Sequence, residues 1–338
     1  MIANKMQSAQ RIVTLGGGTG HFVLLRGLVD LNEPELITAI TGTWDNGGSS
    51  GRLRTEMGVL PSGDTRQCLL ALMEDEKQRV VAQKLFNERF TDQDGPLKGH
   101  SIGNLIQSQL QRIFQGQDRG TDATRSLFRI RGHVLPISLT DVELSAKTDH
   151  GHVIEGETTI DLRANEQNFD PEEKISRIYF DTSADPNPKA LEAIRKADKI
   201  VFSPGDLFTS VLPHLLVKDI AKAIIHSKAK IYFVLNLMTK NGETDSYKAS
   251  DFLKALIFYL GSSKRLDFLI ANQNHISKEV IKVYDLEGQE PIEVDAKNCQ
   301  AITSNLKIIQ KPLAKYFPKE HLLRHDSAKL AQVILASN

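Results

Sequence analysis

Two cysteines in 338 residues, Cys68 and Cys299, are too few and too far apart for a disulfide framework or a zinc-binding spacing. Both sit in apolar stretches and are expected as reduced core thiols. Excess charge is also missing. The 42 Lys and Arg residues balance 42 Asp and Glu, so no basic field points to nucleic acid. No apolar run is long enough to read as a membrane span, and the opening MIANKMQSAQ is too polar for a signal peptide. Residues 1–10 are therefore expected as a disordered tail, and a cytoplasmic location follows. His133, His150 and His152 share no metal-ligand spacing with nearby acids. What remains is an ordinary soluble composition, 40% apolar and 25% charged, on a chain long enough to bury a full core.

Against that background, residues 41–72 (TGTWDNGGSSGRLRTEMGVLPSGDTRQCLLAL) stand out as a dense polar stretch between apolar segments. Gly47, Gly48, Ser49, Ser50 and Gly51 read as too flexible and too polar for a strand or helix interior. Successive amides of such a run form a concave anion-binding nest, and the hydroxyls add donors. Arg52 and Arg54 follow, and guanidinium forks suit phosphate oxygens. Arg52, beside the nest, is expected to contact the ligand. Arg54 is expected in solvent or paired with Glu56. Asp45 and Asp64 flank the run and are the candidate Mg²⁺ ligands. Asp64 also stands at capping-box spacing from Gln67, so a purely structural N-cap remains open.

Elsewhere the chain alternates apolar runs with polar turns. RIVTL (residues 11–15) stops at Gly16-Gly17-Gly18-Thr19-Gly20, followed by an amphipathic stretch at 21–31. This is the opening of a nucleotide-binding α/β unit, with Gly17, Gly18 and Thr19 as candidate phosphate contacts. His21 occupies the place of the third glycine of the dinucleotide pattern. The second strand, residues 36–40, has no ribose-binding acid at its end, which disfavours hydride chemistry. KIVF (199–202) turns through Ser203-Pro204-Gly205-Asp206 into an expected helix over 207–225, with Thr209 and Ser210 near its first turn. KIYFVL (230–235) runs into a long polar loop, 236–247, carrying Asn236 and Thr239.

Ser101 can cap a helix reaching to about 114. His100 and Asn104 beside it either face a ligand or serve as capping and surface residues, and the segment alone favours the second. Strands are also expected at 266–271 and 306–309. An antiparallel patch is expected from 142–146, 153–154 and 158–160, separate strands at 134–137 and 177–180, and a strand pair at 280–285 and 291–294. Arg324 lies just ahead of the last helix, 328–335, where the helix dipole disfavours a cation. A bound anion or solvent exposure resolves that tension. The expected fold is a Rossmann-like, doubly wound, mostly parallel α/β sheet with a small antiparallel β addition, residues 11–338 forming one domain. Its strand ends should face one cleft lined by Gly18, residues 47–52, His100, Asn104 and Asn236.

The segments LGGGTG, TWDNGGSSGRLR, PSGDTRQCLLAL, GHSIGNL, PGDLFTSVLP, NLMTKNGETDSY and RHDSAKLA occur in the order found in YvcK-type gluconeogenesis factors. The chain resembles that family, bacterial relatives of the CofD 2-phospho-L-lactate transferase, from about residue 11 to 334. The resemblance implies a cytoplasmic protein that binds UDP-sugars such as UDP-N-acetylglucosamine and supports cell shape and envelope synthesis on gluconeogenic carbon. Tyr284 and Arg324 match sugar-nucleotide contacts in that branch. Asp45 and Asp64 match the acids that hold Mg²⁺ in the transferases. The sequence departs from the pattern at Asp45-Asn46, where two adjacent acids are common, and at Trp44, usually small. It also has Asp206 where GPGSLYTS has serine. A non-catalytic nucleotide-sugar binder is favoured, with a CofD-type transferase as the alternative and an NAD(P)-dependent oxidoreductase well behind. Homo-oligomerisation and any protein partner are left open by the sequence.

Overall fold

Residues 10–273 and 275–337 are described by the computed structural model. The expected tail therefore lies, but for Gln10, outside the described residues. Among the described residues there are twelve strands: β1 (Ile12–Leu15), β2 (Ile37–Thr41), β3 (His133–Pro136), β4 (Leu144–Thr148), β5 (Val153–Glu155) and β6 (Ile175–Phe180) in the first part of the chain. β7 (Lys199–Phe202), β8 (Lys230–Val234), β9 (Phe268–Asn272), β10 (Lys307–Lys311), β11 (Ala314–Phe317) and β12 (Leu322–His325) follow.

Seven strands build one sheet in the order β10-β9-β8-β7-β1-β2-β3, and every neighbouring pair is parallel. From β1 the chain winds outward through β2 to β3. From β7, on the other side of β1, it winds the opposite way to β10. The order thus reverses between β1 and β7, and in open α/β sheets the crevice beyond such strand ends is where ligands bind.

Both faces of the sheet are buried, which is why its strands read as nearly continuous apolar runs. In β1, Val13 and Leu15 face the cluster packed on helices Pro188–Lys196, Ile220–His226 and Ala249–Leu260. Ile12 faces the opposite cluster, with helices Gly18–Leu31, Gly63–Ala71 and Ser327–Ala336. The expected antiparallel addition is present as the sheet β5-β4-β6. Its Leu144, Ala146, Ile175 and Ile178 join the first of those clusters. No helix among the described residues is long and apolar enough to cross a membrane.

Several local expectations are corrected. Residues 158–160 fall in the helix Glu157–Asp161, and 280–285 in the helix Lys278–Asp285, where Ser277 accepts the Val280 amide at 3.4 Å. Val280 and Tyr284 are buried one turn apart, so the apolar spacing that mimicked a strand serves a helix. Residues 291–294 form no strand beyond one bridge from Pro291 to Met238. The helix expected over 207–225 is broken into a wide turn at Leu207–Val211, a tight turn at Leu212–Leu216 containing Pro213, and the helix Ile220–His226. The hairpin of β11 and β12 was not foreseen.

The helix Ser327–Ala336 is locked in at both ends. Near its start it lies so close to helix Gly18–Leu31 that a Cβ on Gly27 would fall 1.9 Å from the Ser327 carbonyl oxygen. At its end the buried Lys199 donates to the carbonyls of Ile334 (2.6 Å), Leu335 (3.1 Å) and Ser337 (2.6 Å). A cation at this carbonyl end of the helix suits the helix dipole.

Candidate ligand-binding cleft

The turns after β1 and β7 meet beyond the strand ends, at distances that exclude side chains. A Cβ on Gly17 would sit 2.1 Å from Asp64 Oδ2, and one on Gly20 would sit 2.1 Å from the Pro204 carbonyl oxygen. The glycines of the first turn are thus required by close approach as well as by the bend. Asp64 is not an N-cap. It lies in the first turn of helix Gly63–Ala71, after Ser62, and its Oδ1 accepts the Gly18 amide at 2.8 Å. Asn236 holds the second turn: its Oδ1 accepts the Gly205 N–H at 3.0 Å and its Nδ2 donates to the Gly205 carbonyl at 2.9 Å. Thr239 is similarly fixed, its Oγ1 accepting the Glu290 amide at 2.9 Å and its own amide donating to the Glu290 carbonyl at 2.8 Å.

Two chambers of about 300 Å³ each open from this framework, at the small end of ligand pockets. In the first, Gly17, Gly18 and Thr19 present the start of helix Gly18–Leu31, opposite Ser210, Lys240 and Arg324. Leu237, Met238, Tyr284 and Leu323 form its apolar wall and belong to one buried cluster. The Tyr284 hydroxyl accepts the Leu323 amide at 2.7 Å, which ties β12 to the helix Lys278–Asp285. Arg324 donates from Nη1 to the Leu323 carbonyl at 2.9 Å, while its Nε is buried with no partner. Among the described residues no carboxylate pairs with this guanidinium. His325 adds no charge at neutral pH, because burial lowers its pKa to about 4.

The second chamber is acidic. Asp45, Asp64, Glu157, Asp161 and Asp206 line it, with Trp44 and Thr209. Burial, then the carboxylates of Asp45 and its neighbours, push Glu157 up to about 9. Burial raises Asp64 to about 6 against the pull of the Gly18 amide. Asp45 is raised too, again chiefly by burial, although its Oδ1 accepts the Gly47 amide at 2.8 Å. Behind Thr209, Glu243 is pushed to about 8 by burial and by Asp206, and it accepts from the Phe208 amide at 3.0 Å and from Thr209 Oγ1 at 3.2 Å. One oxygen from each of Asp161, Asp206 and Glu243 lies within 4.8 Å of the others. Lys240 enters this group, 2.6 Å from Asp161 and 3.2 Å from Asp206. The remaining acids of the chamber, Asp45, Asp64 and Glu157, form an all-oxygen, partly desolvated donor set that suits a hard divalent cation such as Mg²⁺. The chambers share Gly18, Asp206 and Ser210.

The glycine-serine run behaves differently from expectation. Gly48–Met57 is a helix, entered through Gly48 at φ +45°. The glycine cost, about 1 kcal/mol for each helical glycine, is offset by packing: Ser49, Ser50, Gly51 and Leu53 are buried, and Gly51 passes so close to the Asn46 backbone that only glycine fits. Ser49 Oγ pairs with His100 Nδ1 at 3.1 Å, and Asn104 Nδ2 donates to Ser50 Oγ at 3.2 Å. The hydroxyls, His100 and Asn104 are thereby engaged between helices and do not line either chamber. Arg52 is turned away as well. It donates to the carbonyls of Lys98 (2.6 Å) and Pro96 (3.1 Å) and pairs with Glu56 at 3.7 Å. Arg54 makes the firmer ion pairs, 2.6 Å to Asp141 and 3.2 Å to Glu143. Neither arginine lines a chamber, and the Glu56 pairing expected of Arg54 belongs to Arg52, because residue 54 faces Asp141–Glu143 and residue 52 faces the 96–98 loop.

The cleft therefore brings together Gly17, Gly18, Thr19, Thr209, Ser210, Asn236, Thr239, Tyr284, Arg324, Asp45 and Asp64. Sequence reasoning missed Glu157, Asp161 and Lys240. The first two flank residues 158–160, which read as a strand but lie in the helix Glu157–Asp161. Lys240 sat in a loop whose length, but not whose pairing, was informative.

A sequence profile of the family described as 2-phospho-L-lactate transferase CofD matches residues 12–314. The chain is similar to the gluconeogenesis factor of Halalkalibacterium halodurans, 39% identical over 330 residues and covering 96% of each chain. It is likewise similar to the gluconeogenesis factor of Bacillus subtilis, 36% identical over 333 residues and 98% of each chain. A crystal structure of a UPF0052-family protein from Bacillus halodurans superimposes with a TM-score of 0.87 at 38% identity, covering 96% of this chain and 99% of that one.

Proposed function

From the premise that this chain belongs to the CofD family, in the company of the gluconeogenesis factors, we propose that it is a cytoplasmic regulator that binds a UDP-sugar such as UDP-N-acetylglucosamine. By the same analogy it acts in cell shape and envelope synthesis on gluconeogenic carbon. One observation carries the ligand reading. Arg324, with a buried and unpartnered Nε and no paired carboxylate among the described residues, faces the chamber that also receives the amide end of helix Gly18–Leu31. A cation and the amide end of a helix across one small cavity suit a diphosphate. The wall of Leu237, Met238, Tyr284 and Leu323 offers the flat apolar surface that a base or sugar ring needs.

Asp45 and Asp64, with Glu157 beside them, would hold a Mg²⁺ ion next to that diphosphate, and their crowding and burial fit such a guest. Bound there, the ion would neutralise phosphate charge. The acid chamber is also what favours the second reading, a CofD-type transferase that acts on a nucleotide-activated donor. Thermal unfolding tests the two. UDP-N-acetylglucosamine at millimolar concentration should raise the melting temperature clearly, since a ligand at one hundred times its dissociation constant adds about 2.7 kcal/mol. NAD should raise it less, and the UDP-sugar should survive prolonged incubation with Mg²⁺. Release of UDP or a sugar phosphate would overturn the regulator reading. A shift with GDP and Mg²⁺ but with no UDP-sugar would favour the transferase.

A further inference from the structure

Asp206 stands where a phosphate-binding turn is least expected to carry an acid. It lies on the strip shared by both chambers, with Gly18 and Ser210, and it replaces the serine of the pattern that the chain otherwise resembles. Left uncompensated, its carboxylate would repel an anion from the helix amides beside it. Lys240 compensates it. Of the residues that line the first chamber, Lys240 and Arg324 are the two that carry a positive charge at neutral pH.

Its backbone fixes where that charge can go. The Lys240 amide donates to Thr244 Oγ1 at 2.8 Å, and its carbonyl accepts the amides of Glu243 at 3.0 Å and Thr244 at 2.8 Å. Thr239 before it is clamped to Glu290 through both its amide and its hydroxyl. From this anchored position the side chain reaches the boundary of the two chambers, 2.6 Å from Asp161 and 3.2 Å from Asp206. An ammonium group has three donors, and these carboxylates occupy two.

We propose that Lys240 is a ligand-contacting residue of the cleft: held by Asp161 and Asp206, it gives its third donor to a phosphoryl oxygen of the bound nucleotide, opposite Arg324. This rests on the sugar-nucleotide reading above and adds a residue to it. Asp206 is the positioning partner, and the ion pair does jointly what a neutral hydroxyl cannot. It admits an anion while supplying a cation to meet it.

The test is calorimetry with UDP-N-acetylglucosamine and, separately, inorganic pyrophosphate, on wild type, Lys240→Gln, Lys240→Arg, Asp206→Ser and the Asp206→Ser/Lys240→Gln pair. Melting curves establish that each variant is folded. Lys240→Gln should weaken both probes about tenfold or more, the loss of a charge-assisted hydrogen bond. Lys240→Arg should retain most of the affinity. Asp206→Ser should bind at least as well as wild type, and the double variant should recover part of the loss because no bare carboxylate then faces the anion. A folded Lys240→Gln that binds both probes within about twofold of wild type overturns the proposal. A double variant no better than Lys240→Gln overturns the part assigned to Asp206. If wild type binds pyrophosphate but no UDP-sugar, the sugar-nucleotide reading fails, while a tenfold pyrophosphate loss in Lys240→Gln still supports the lysine contact. Wild type that binds neither probe overturns both.

Discussion

The two chambers of the cleft share three residues and the same strand ends, yet they differ in charge. One holds Arg324, Lys240 and a helix start; the other holds Asp45, Asp64, Glu157, Asp161 and Asp206. The sheet supplies both with similar backbone, amides from turns that follow parallel strands. What separates them is which later segment closes them over. The hairpin of β11 and β12 and the helix Lys278–Asp285 wall the first, and the helix Glu157–Asp161 beside β4–β6 walls the second. A common fold thus makes a place for a ligand, and the segments added to it choose the charge that place will accept.

The largest expected effect falls on the cationic side. Arg324→Ala should weaken UDP-sugar binding by about 1.5–3 kcal/mol without lowering the melting point of the free protein, since among the described residues the guanidinium makes one hydrogen bond, to its neighbour's carbonyl. Calorimetry and thermal unfolding together check it, and a loss of stability in place of affinity would erase the contrast between the chambers.

A second measurement sets the acidic side against buried histidines. Asp64, Glu243 and Glu157 are raised to about 6, 8 and 9, so the folded state holds protons that the unfolded chain releases. Their stabilising contribution is complete below the ordinary carboxylate range and is lost as pH rises through 6 to 9. His21, His214 and His325 are lowered by burial to about 3, 4 and 4, so their contribution is complete above 6.5 and is lost as pH falls towards 3. Stability should therefore fall on both sides of a weakly acidic optimum. Mg²⁺ should raise the melting temperature more at pH 8 than at pH 5, and Glu157→Gln should flatten the decline between pH 7 and 9. A Mg²⁺ effect equal at both pH values would detach the acid chamber from cation binding.

Smaller effects belong to the arginines outside both chambers. Arg54→Ala should cost about 1–3 kcal/mol of folding stability in denaturant unfolding and leave ligand affinity intact, because it joins helix Gly48–Met57 to Asp141 and Glu143. Arg52→Ala should change either quantity by no more than about 0.5 kcal/mol, as a half-exposed side chain bonded to loop carbonyls. A tenfold loss of ligand affinity in Arg52→Ala would return that residue to the site.

The sheet was legible because its inner parallel strands are buried on two faces and end at glycine or polar turns, a pattern that survives in a single sequence. Asp45 and Asp64 were legible for the same reason, as acids beside such turns. The glycine-serine run was misread because its suitability for a helix rests on contacts with residues 96–104, which no local pattern reveals. Residues 280–285 misled through VIKVY, whose apolar spacing fits two periods. Tyr284 came from family resemblance alone and Arg324 from that resemblance and its unfavourable place ahead of the last helix, since nothing near either one announces the first glycine turn as its neighbour in space. Lys240 needed geometry: only its distances to Asp161 and Asp206 distinguish it from any other loop lysine.

The helix Ser327–Ala336, pinned by Gly27 at one end and Lys199 at the other, carries a consequence for synthesis of the protein. Arg324 enters the cleft on the strand just before this helix, so the site cannot be completed until nearly all described residues have left the ribosome. A nascent chain arrested earlier would already have its glycine turns, its acids and Lys240 but not Arg324. Cellular nucleotide would then find no finished pocket on incomplete chains, and ligand-dependent stabilisation would reward only finished copies.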